Sequence, residues 1–437
     1  MTNRGCLTLN GHAFFIVDDI ILDYLPNGTL NTFYGPIAND GLPVYMAANY
    51  FQLGIVSAGN AYYIQSGVLN PVSWLVGTPV IDIGFLNEYF VFLAKASNVQ
   101  PNGFYFSEPG DINIGDPLNF IAAAASANTL TRLMVQDQRV WVFGDQVAQV
   151  FFDNSANDPE NPFVQDFSGV MQQGTAAPAS VTSFDNTLGW IGRSVSGQGI
   201  AWRNNGYTPQ RISTFAVENA WRKYSTIEDA VGYSVIVKGH TFWRIWFPTA
   251  RETWQYDASL PPPLAWTKIL YYNPTGGHYE ADRGSCACEL GGKILVGDRD
   301  LALIYELSLD AQTDNGDRIR WMRRAPIISE ENKVIFYPTI EFDMQVGVGD
   351  GSNGDPNLGP VTPEFDPQVM FRYSNDWAQT WCNERFASMG KQGEYSKRIR
   401  FIGNGSRRQR VLELSGTAAV PTVINNCYLP DADVGES

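Results

Sequence analysis

The chain has 437 residues, 44% of them hydrophobic and including 12 Trp, 20 Tyr and 25 Phe, a load that excludes a disordered chain and suits strands packed across hairpins and between sheets. Its 45 acidic against 30 basic residues give a formal charge of −15, which repels phosphate on average and disfavours a sequence-independent DNA clamp. No run approaches about 18 uninterrupted apolar residues, and Met1-Thr2-Asn3-Arg4 lacks the apolar centre of a signal peptide, so the expectation is a soluble, unprocessed chain with no membrane insertion.

Along the chain a short apolar strand, a turn and a second apolar or aromatic strand recur. Looser copies come first, at residues 13–25, 53–64 and 89–106, the first with Asp18-Asp19 between its strands and no arm ahead of it. Clearer ones follow: Val140-Trp141-Val142-Phe143-Gly144 before 147–152, 188–192 before 200–202, 234–239 before 241–247, and 293–297 before 301–307. Their turn glycines, Gly144, Gly192, Gly239 and Gly297, lie 48, 47 and 58 residues apart. Seven hairpins at a period of about 40 to 50 residues predict an all-β fold whose larger part is a β-propeller of six or seven blades. The competing arrangement, two β-sandwiches, has turn signals every 8 to 12 residues or so.

Two interruptions within the repeat have ordinary explanations. Ile121 to Ala125 has helical propensity but is too short for more than a connection. The acidic run Asp153 to Asn161 could supply glycosidase carboxylates, yet Asp, Asn, Ser and Pro are what a tight exposed turn selects. The polar stretch Ala311 to Asp317 marks the boundary, giving a propeller over 1–310 and a smaller C-terminal β-sandwich or barrel-like domain over 311–437. Strands are expected there at 333–337, 341–348, 369–373, 398–402 and 410–414. The loop Asp350 to Asn357 lacks the residue order and distal Glu of a calcium loop.

Residues that could carry chemistry are few. Cys6, Cys286, Cys288, Cys382 and Cys427 are odd in number and dispersed, which argues for buried thiols made in a reducing compartment. Cys286 and Cys288 share a strand face, but that spacing is not a zinc signature. His12, His240 and His278 have no triad or metal-ligand spacing. Ser374-Asn375-Asp376-Trp377-Ala378-Gln379-Thr380-Trp381 is close to the Asp box S-x-D-x-G-x-T-W, with Ala378 in place of Gly. In that hairpin the Ser374 and Asp376 side chains bond turn backbone, while Thr380 and Trp381 begin the next strand and bury the indole. Arginines concentrate late, at 318, 320, 323 and 324 and then at Arg398, Arg400, Arg407, Arg408 and Arg410, which reads as a dipolar chain. Arg398, Arg400, Arg407, Arg408 and Arg410 are the candidate subunit or adaptor interface, with an acidic face of an identical neighbour as partner. Phosphate and a merely solvated face are the alternatives.

Several segments in order carry a resemblance: Gly35-Pro36 through Pro43-Val44-Tyr45-Met46 into Gln52 to Val56; Phe104 to Ser107 with Asp116 to Phe120; Val140 to Gly144; and Phe371 through Trp381 to Met389-Gly390, Gly393-Glu394-Tyr395 and Arg398-Ile399-Arg400. On these the chain resembles the tail accessory proteins of short-tailed phages, the packaged-DNA stabilisation or tail nozzle family, over nearly its whole length. Relatives usually carry a segment ahead of the first hairpin, and nothing here matches it. The resemblance implies a non-catalytic virion protein without cofactors, assembled in the bacterial cytoplasm as a homo-hexameric ring below the portal and its adaptor. That ring would contact a fibre, spike or needle, extend the DNA channel and help retain the packaged genome. DNA would pass without sequence-specific binding, and acids along a lumen would keep it from sticking. The alternative of another class is a glycan-binding or glycan-hydrolysing propeller related to sialidases. It needs several Asp boxes and a pocket with acid and nucleophile, where the sequence offers one imperfect box outside the repeat. WD and kelch signatures are absent.

Overall fold

The computed structural model describes residues 2–97, 102–123, 129–193, 199–349 and 363–435. Residues 124–125 of the Ala-rich segment and the whole of the Asp350 to Asn357 loop lie outside them. The chain forms two compact units, Met1–Leu270 with Glu280–Ser308, and Tyr271–Tyr279 with Leu309–Ser437.

Seven antiparallel sheets follow one another among the described residues, spanning 3–34, 45–71, 80–122, 130–171, 182–211, 231–281 and 284–307, all within the first unit but for residues 271–279 of the sixth. Each is a meander in chain order, with four strands in the first five, five in the sixth and three in the last. The second strand of a sheet is the most apolar because neighbouring sheets cover both its faces: Gln52–Ser57 and Tyr89–Ala94 are buried at every residue. The fourth strand lies outermost and is largely exposed, as in Leu30–Tyr34 and Thr208–Arg211.

The first strands of the sheets pack on one another in a closed circuit. Asn3–Leu9 meets Tyr45–Ala48, which meets Val80–Leu86, which meets Leu130–Gln136; the turn Pro178–Ser180 links on to Val231–Val237, then Gly284–Leu290, which returns to Asn3–Leu9. That circuit makes the unit a seven-bladed propeller. So tight is the approach that a Cβ on Gly5 would lie 2.6 Å from the Val44 carbonyl oxygen, and one on Gly232 2.4 Å from that of Ser180.

Closure of the circuit rests on Asn3–Leu9, a strand that precedes the first hairpin expected at residue 13. Thr2 N–H donates to Arg299 O at 3.0 Å. The fully buried Asn3 points its amide at the carbonyls of Asp298, Leu301 and Leu303, at 2.7, 3.0 and 3.1 Å. Ser285 Oγ donates to Asn3 O at 2.9 Å and Thr8 Oγ1 to Glu289 O at 2.7 Å.

One hairpin in the repeat is out of phase. Six of the seven join the second and third strands of their sheet, but 234–247 joins the first and second, Val231–Val237 and His240–Phe247. In a meander both junctions give the same apolar-turn-apolar signal, and this explains the uneven 58-residue step. Of the four turn glycines, Gly239 lies in its turn with φ 86°, whereas Gly144, Gly192 and Gly297 lie in strands. A helix, Phe215–Trp221, connects the fifth and sixth sheets; Thr214 caps it by accepting from Val217 N, and Trp221 anchors it in the core.

The second unit is a β-sandwich. One sheet runs Trp321–Arg324, Gln409–Gly416, Gln368–Ser374, Arg385–Ser388; the other runs Ile399–Ile402, Thr339–Met344, Ile424–Tyr428. Their inner faces interlock through Phe371, which lies 5.6 Å from the Phe342 ring and 4.6 Å from that of Phe401, with Val369, Leu412 and Leu414 around them. A small sheet of Ser406–Arg407, Ile335–Phe336 and Asp433–Val434 lies in the same unit. Among the described residues no helix is long and apolar enough to cross a membrane.

Candidate functional site

The Asp-box turn follows strand Gln368–Ser374. Ser374 Oγ accepts from Ala378 N at 2.9 Å and donates to Asp376 at 2.6 Å; Asp376 in turn accepts from the amides of Thr380 and Gln379, at 2.8 and 3.1 Å, and from the Thr380 hydroxyl. Led by the Ser374 hydroxyl, these donors hold the Asp376 carboxyl down at about 2. Trp377 and Ala378 take φ of 62° and 66°, so Ala378 occupies a left-handed position where the box's usual Gly is at ease.

Trp381 departs from expectation. The next strand begins only at Arg385, and the indole is half-buried between two guanidinium groups, Arg324 at 4.8 Å and Arg372 at 4.7 Å from its ring. Both arginines bond one buried carboxylate, Glu413, at 2.6 and 2.5 Å. The ring is therefore held by cation–π contact with two partly exposed arginines anchored on a buried carboxylate, instead of by an apolar core.

The structure divides the predicted arginine interface. Arg398 forms a two-pronged pair with Glu341 at 2.6 and 2.7 Å, and Arg400 shares that carboxylate at 2.8 Å, while both guanidinium groups stay largely open to solvent. Arg407 and Arg408 are exposed; Arg407 belongs to a strand paired with Ile335–Phe336. Arg410 cannot belong to such a surface. It is 2% exposed, packed between the rings of Tyr337 and Tyr373 at 4.4 and 4.1 Å, and donates to Asn375 Oδ1 and Asn404 O. Burial lowers its pKa. Nor is the chain dipolar in sign: the second unit holds 14 of the 30 basic but 18 of the 45 acidic residues, leaving it at −4 and the first unit at −11.

In the first unit the seven blades enclose an axial cavity of about 440 Å³. Its wall carries an ion pair that was missed in the sequence: Arg132 Nη1 bonds Asp82 Oδ2 at 2.6 Å, with its guanidinium 3.8 Å over the Tyr45 ring. Burial raises the Asp82 pKa against the pull of Arg132 and pushes Tyr45 up to about 12. Arg4, also missed and fully buried, lines the same wall and donates to Leu42 O, Asp18 O, Asp40 and Ser57. Among the described residues Asp82 is the single carboxylate of that lining, whereas glycoside hydrolysis takes two, about 5 to 10 Å apart.

His12 pairs with Asp23 at 2.8 Å. His240 does meet a Ser and an Asp, but Ser259 Oγ and Asp257 Oδ2 share one ring nitrogen, Nδ1, at 3.0 and 3.3 Å, and Ser259 donates to Asp257. Nucleophilic catalysis needs the acid and the serine on opposite nitrogens. Asp153 closes the acidic run's turn by accepting from Ser155 N at 2.8 Å.

Residues 13–312 match the family described as bacteriophage P22 Gp10, beta-propeller, and residues 320–430 match bacteriophage P22 Gp10, beta-sandwich. The chain belongs to the P22 Gp10 family. The resemblance to phage tail accessory proteins is thereby confirmed, and this Gp10-family chain is a structural protein of the phage virion, a propeller followed by a sandwich. No curated protein sequence matches it at a significant level. Among solved structures it is similar to the N-terminal domain of Nup159, at 10% identity over 69% of this chain and 87% of that one, TM-score 0.42. BamB from Moraxella catarrhalis is similar at 10% over 70% and 96%, TM-score 0.37. An exo-β-1,3-galactanase from Phanerochaete chrysosporium is similar at 9% over 97% and 94%, TM-score 0.31. Likenesses this loose carry no argument about function.

Proposed function

We propose that this Gp10-family protein is a non-catalytic wall element of the tail, six copies closing into a nozzle below the portal and adaptor that extends the DNA channel and helps retain the genome. The observation that carries this reading is membership of the P22 Gp10 family across both units. The conduit would lie between subunits, because a cyclic ring larger than a dimer encloses its channel among its members. A formal charge of −15 suits a passage that must not hold phosphate.

The subunit or adaptor contact is assigned to the sandwich around Arg398, Arg400, Arg407 and Arg408. Large apolar side chains stand exposed on neighbouring strands, Phe386 at 61% and Ile402 at 68%, and Phe336 is exposed on the strand paired with Arg407. Arginine with aromatic residues is the composition enriched in protein interfaces, and a ring larger than a dimer needs two different complementary patches. The test is charge reversal at Arg407 and Arg408, followed by incorporation into tails and the mass of the purified assembly. Folded monomer that fails to enter tails supports the assignment; unchanged incorporation refutes it.

A further inference from the structure

Three of the five cysteines meet where the propeller ring closes. Cys6 lies on Asn3–Leu9 in the first blade, and Cys286 and Cys288 lie on Gly284–Leu290 in the last. These strands belong to different sheets but pack together. The three side chains share one apolar cluster with Phe15, Ala13 and Leu290, and the Cys6 thiol is within hydrogen-bonding reach of both others. All are free thiols.

We infer that Cys6 and Cys288 are a disulfide-forming pair that locks the propeller ring covalently once the protein meets a small-molecule disulfide. Cys286 and Cys288 cannot serve each other: alternate residues of a strand stand about 6.6 Å apart with parallel side chains, whereas a disulfide needs Cβ atoms about 3.5 to 4.5 Å apart. Cys6 must be one member. Cys288 is chosen over Cys286 because it is half-exposed where Cys286 is buried, so an oxidant reaches it first. Hydrogen bonding from Cys6 lowers the Cys288 pKa, while burial raises that of Cys6, which makes Cys288 the attacking thiolate. Coordination of a metal is the weaker use, since among the described residues no group of three ligands is placed to hold an ion.

The chemistry balances as ordinary exchange. The Cys288 thiolate attacks one sulfur of the small disulfide and expels its other half as a thiolate. Cys6, giving up its proton, attacks the mixed disulfide at the Cys288 sulfur and expels the second half. Two protein thiols and one small disulfide become one protein disulfide and two small thiols. The bond would join the two ends of the ring, residues 6 and 288.

The test incubates the full chain with oxidised glutathione and maps peptides without reduction. The expected result is a peptide pair linking residues 6 and 288 within one chain. With it, the thermal midpoint rises by about 5 °C, a rise that dithiothreitol reverses, that Cys6→Ser and Cys288→Ser abolish and that Cys286→Ser retains. Thiols that stay fully alkylatable after oxidation, a link to Cys286, a link between chains, or a 6–288 link that leaves the midpoint unmoved would each overturn the inference. The peptide map on the unmutated chain stands even if a serine variant fails to fold.

Discussion

Replacing Asn3 by alanine removes the one side chain that ties the start of the propeller to three carbonyls of the last blade. The amide has two N–H groups serving Asp298, Leu301 and Leu303 at 2.7 to 3.1 Å. Each bond is worth about 1 kcal/mol net, and leaving the buried Asp298 carbonyl without this donor costs about 1 to 3 kcal/mol, whereas Leu303 O keeps the Asp298 amide as a donor. Asn3 Oδ1 is itself buried with no hydrogen-bond partner, so deleting it returns about 1 kcal/mol. The balance is about 2 to 3 kcal/mol of local stability at the seam. Hydrogen exchange followed by mass spectrometry should show Asn3–Leu9 and Lys293–Asp298 exchanging about 30- to 150-fold faster, with the sandwich unaffected. Asn3→Asp is the sharper control, because it is isosteric but sets an anion against three carbonyl oxygens, and it should be worse than alanine. Unchanged exchange in Asn3→Ala, or an aspartate tolerated better than alanine, would refute closure through this residue.

In the second unit, Glu413→Ala leaves Arg324 and Arg372 without their shared carboxylate and should cost about 3 kcal/mol in urea unfolding, with increased quenching of Trp381 fluorescence. Arg410→Ala should cost a similar amount, about 3 kcal/mol, by emptying the slot between Tyr337 and Tyr373, while Arg408→Ala should stay within about 0.5 kcal/mol; equal effects would contradict the burial difference. Asp376 should titrate near 2 by carboxyl NMR. Because its folded value lies below the unfolded one near 3.8, the stabilisation it brings is present above about pH 4 and lost as pH falls through 2. A midpoint near 4 would show the turn bonds to be unformed.

Much of the fold was legible because propeller blades bury their second strands on both faces. Runs such as Val140 to Gly144 and 188–192 stand out as continuous apolar stretches, and their recurrence carries the architecture. First and outermost strands left weaker marks. Asn3–Leu9 mixes Asn, Arg, Cys and Thr because it works through hydrogen bonds at the seam, and Thr208–Arg211 reads as loop because water covers it. The phase error at 234–247 has the same root, since only pairing distinguishes one hairpin of a meander from the next. At the candidate site, Ser374 and Asp376 could be read from local spacing, as the bonds of a tight turn are local. The fate of Trp381 and Arg410 could not, because Glu413, Arg324 and Tyr337 reach them from distant strands. Asp82 and Arg132 are the one charged residue each of Val80–Leu86 and Leu130–Gln136, and Glu413 stands among Val411, Leu412 and Leu414; a buried charge requires a partner.

A cryo-EM map of the intact tail tests the nozzle reading most directly. Six copies around the tail axis, with DNA passing between subunits and outside every propeller, and with Arg407 and Arg408 at a protein contact, is the arrangement expected. A protein peripheral to the channel, or one present as isolated monomers with those arginines facing solvent, would contradict it.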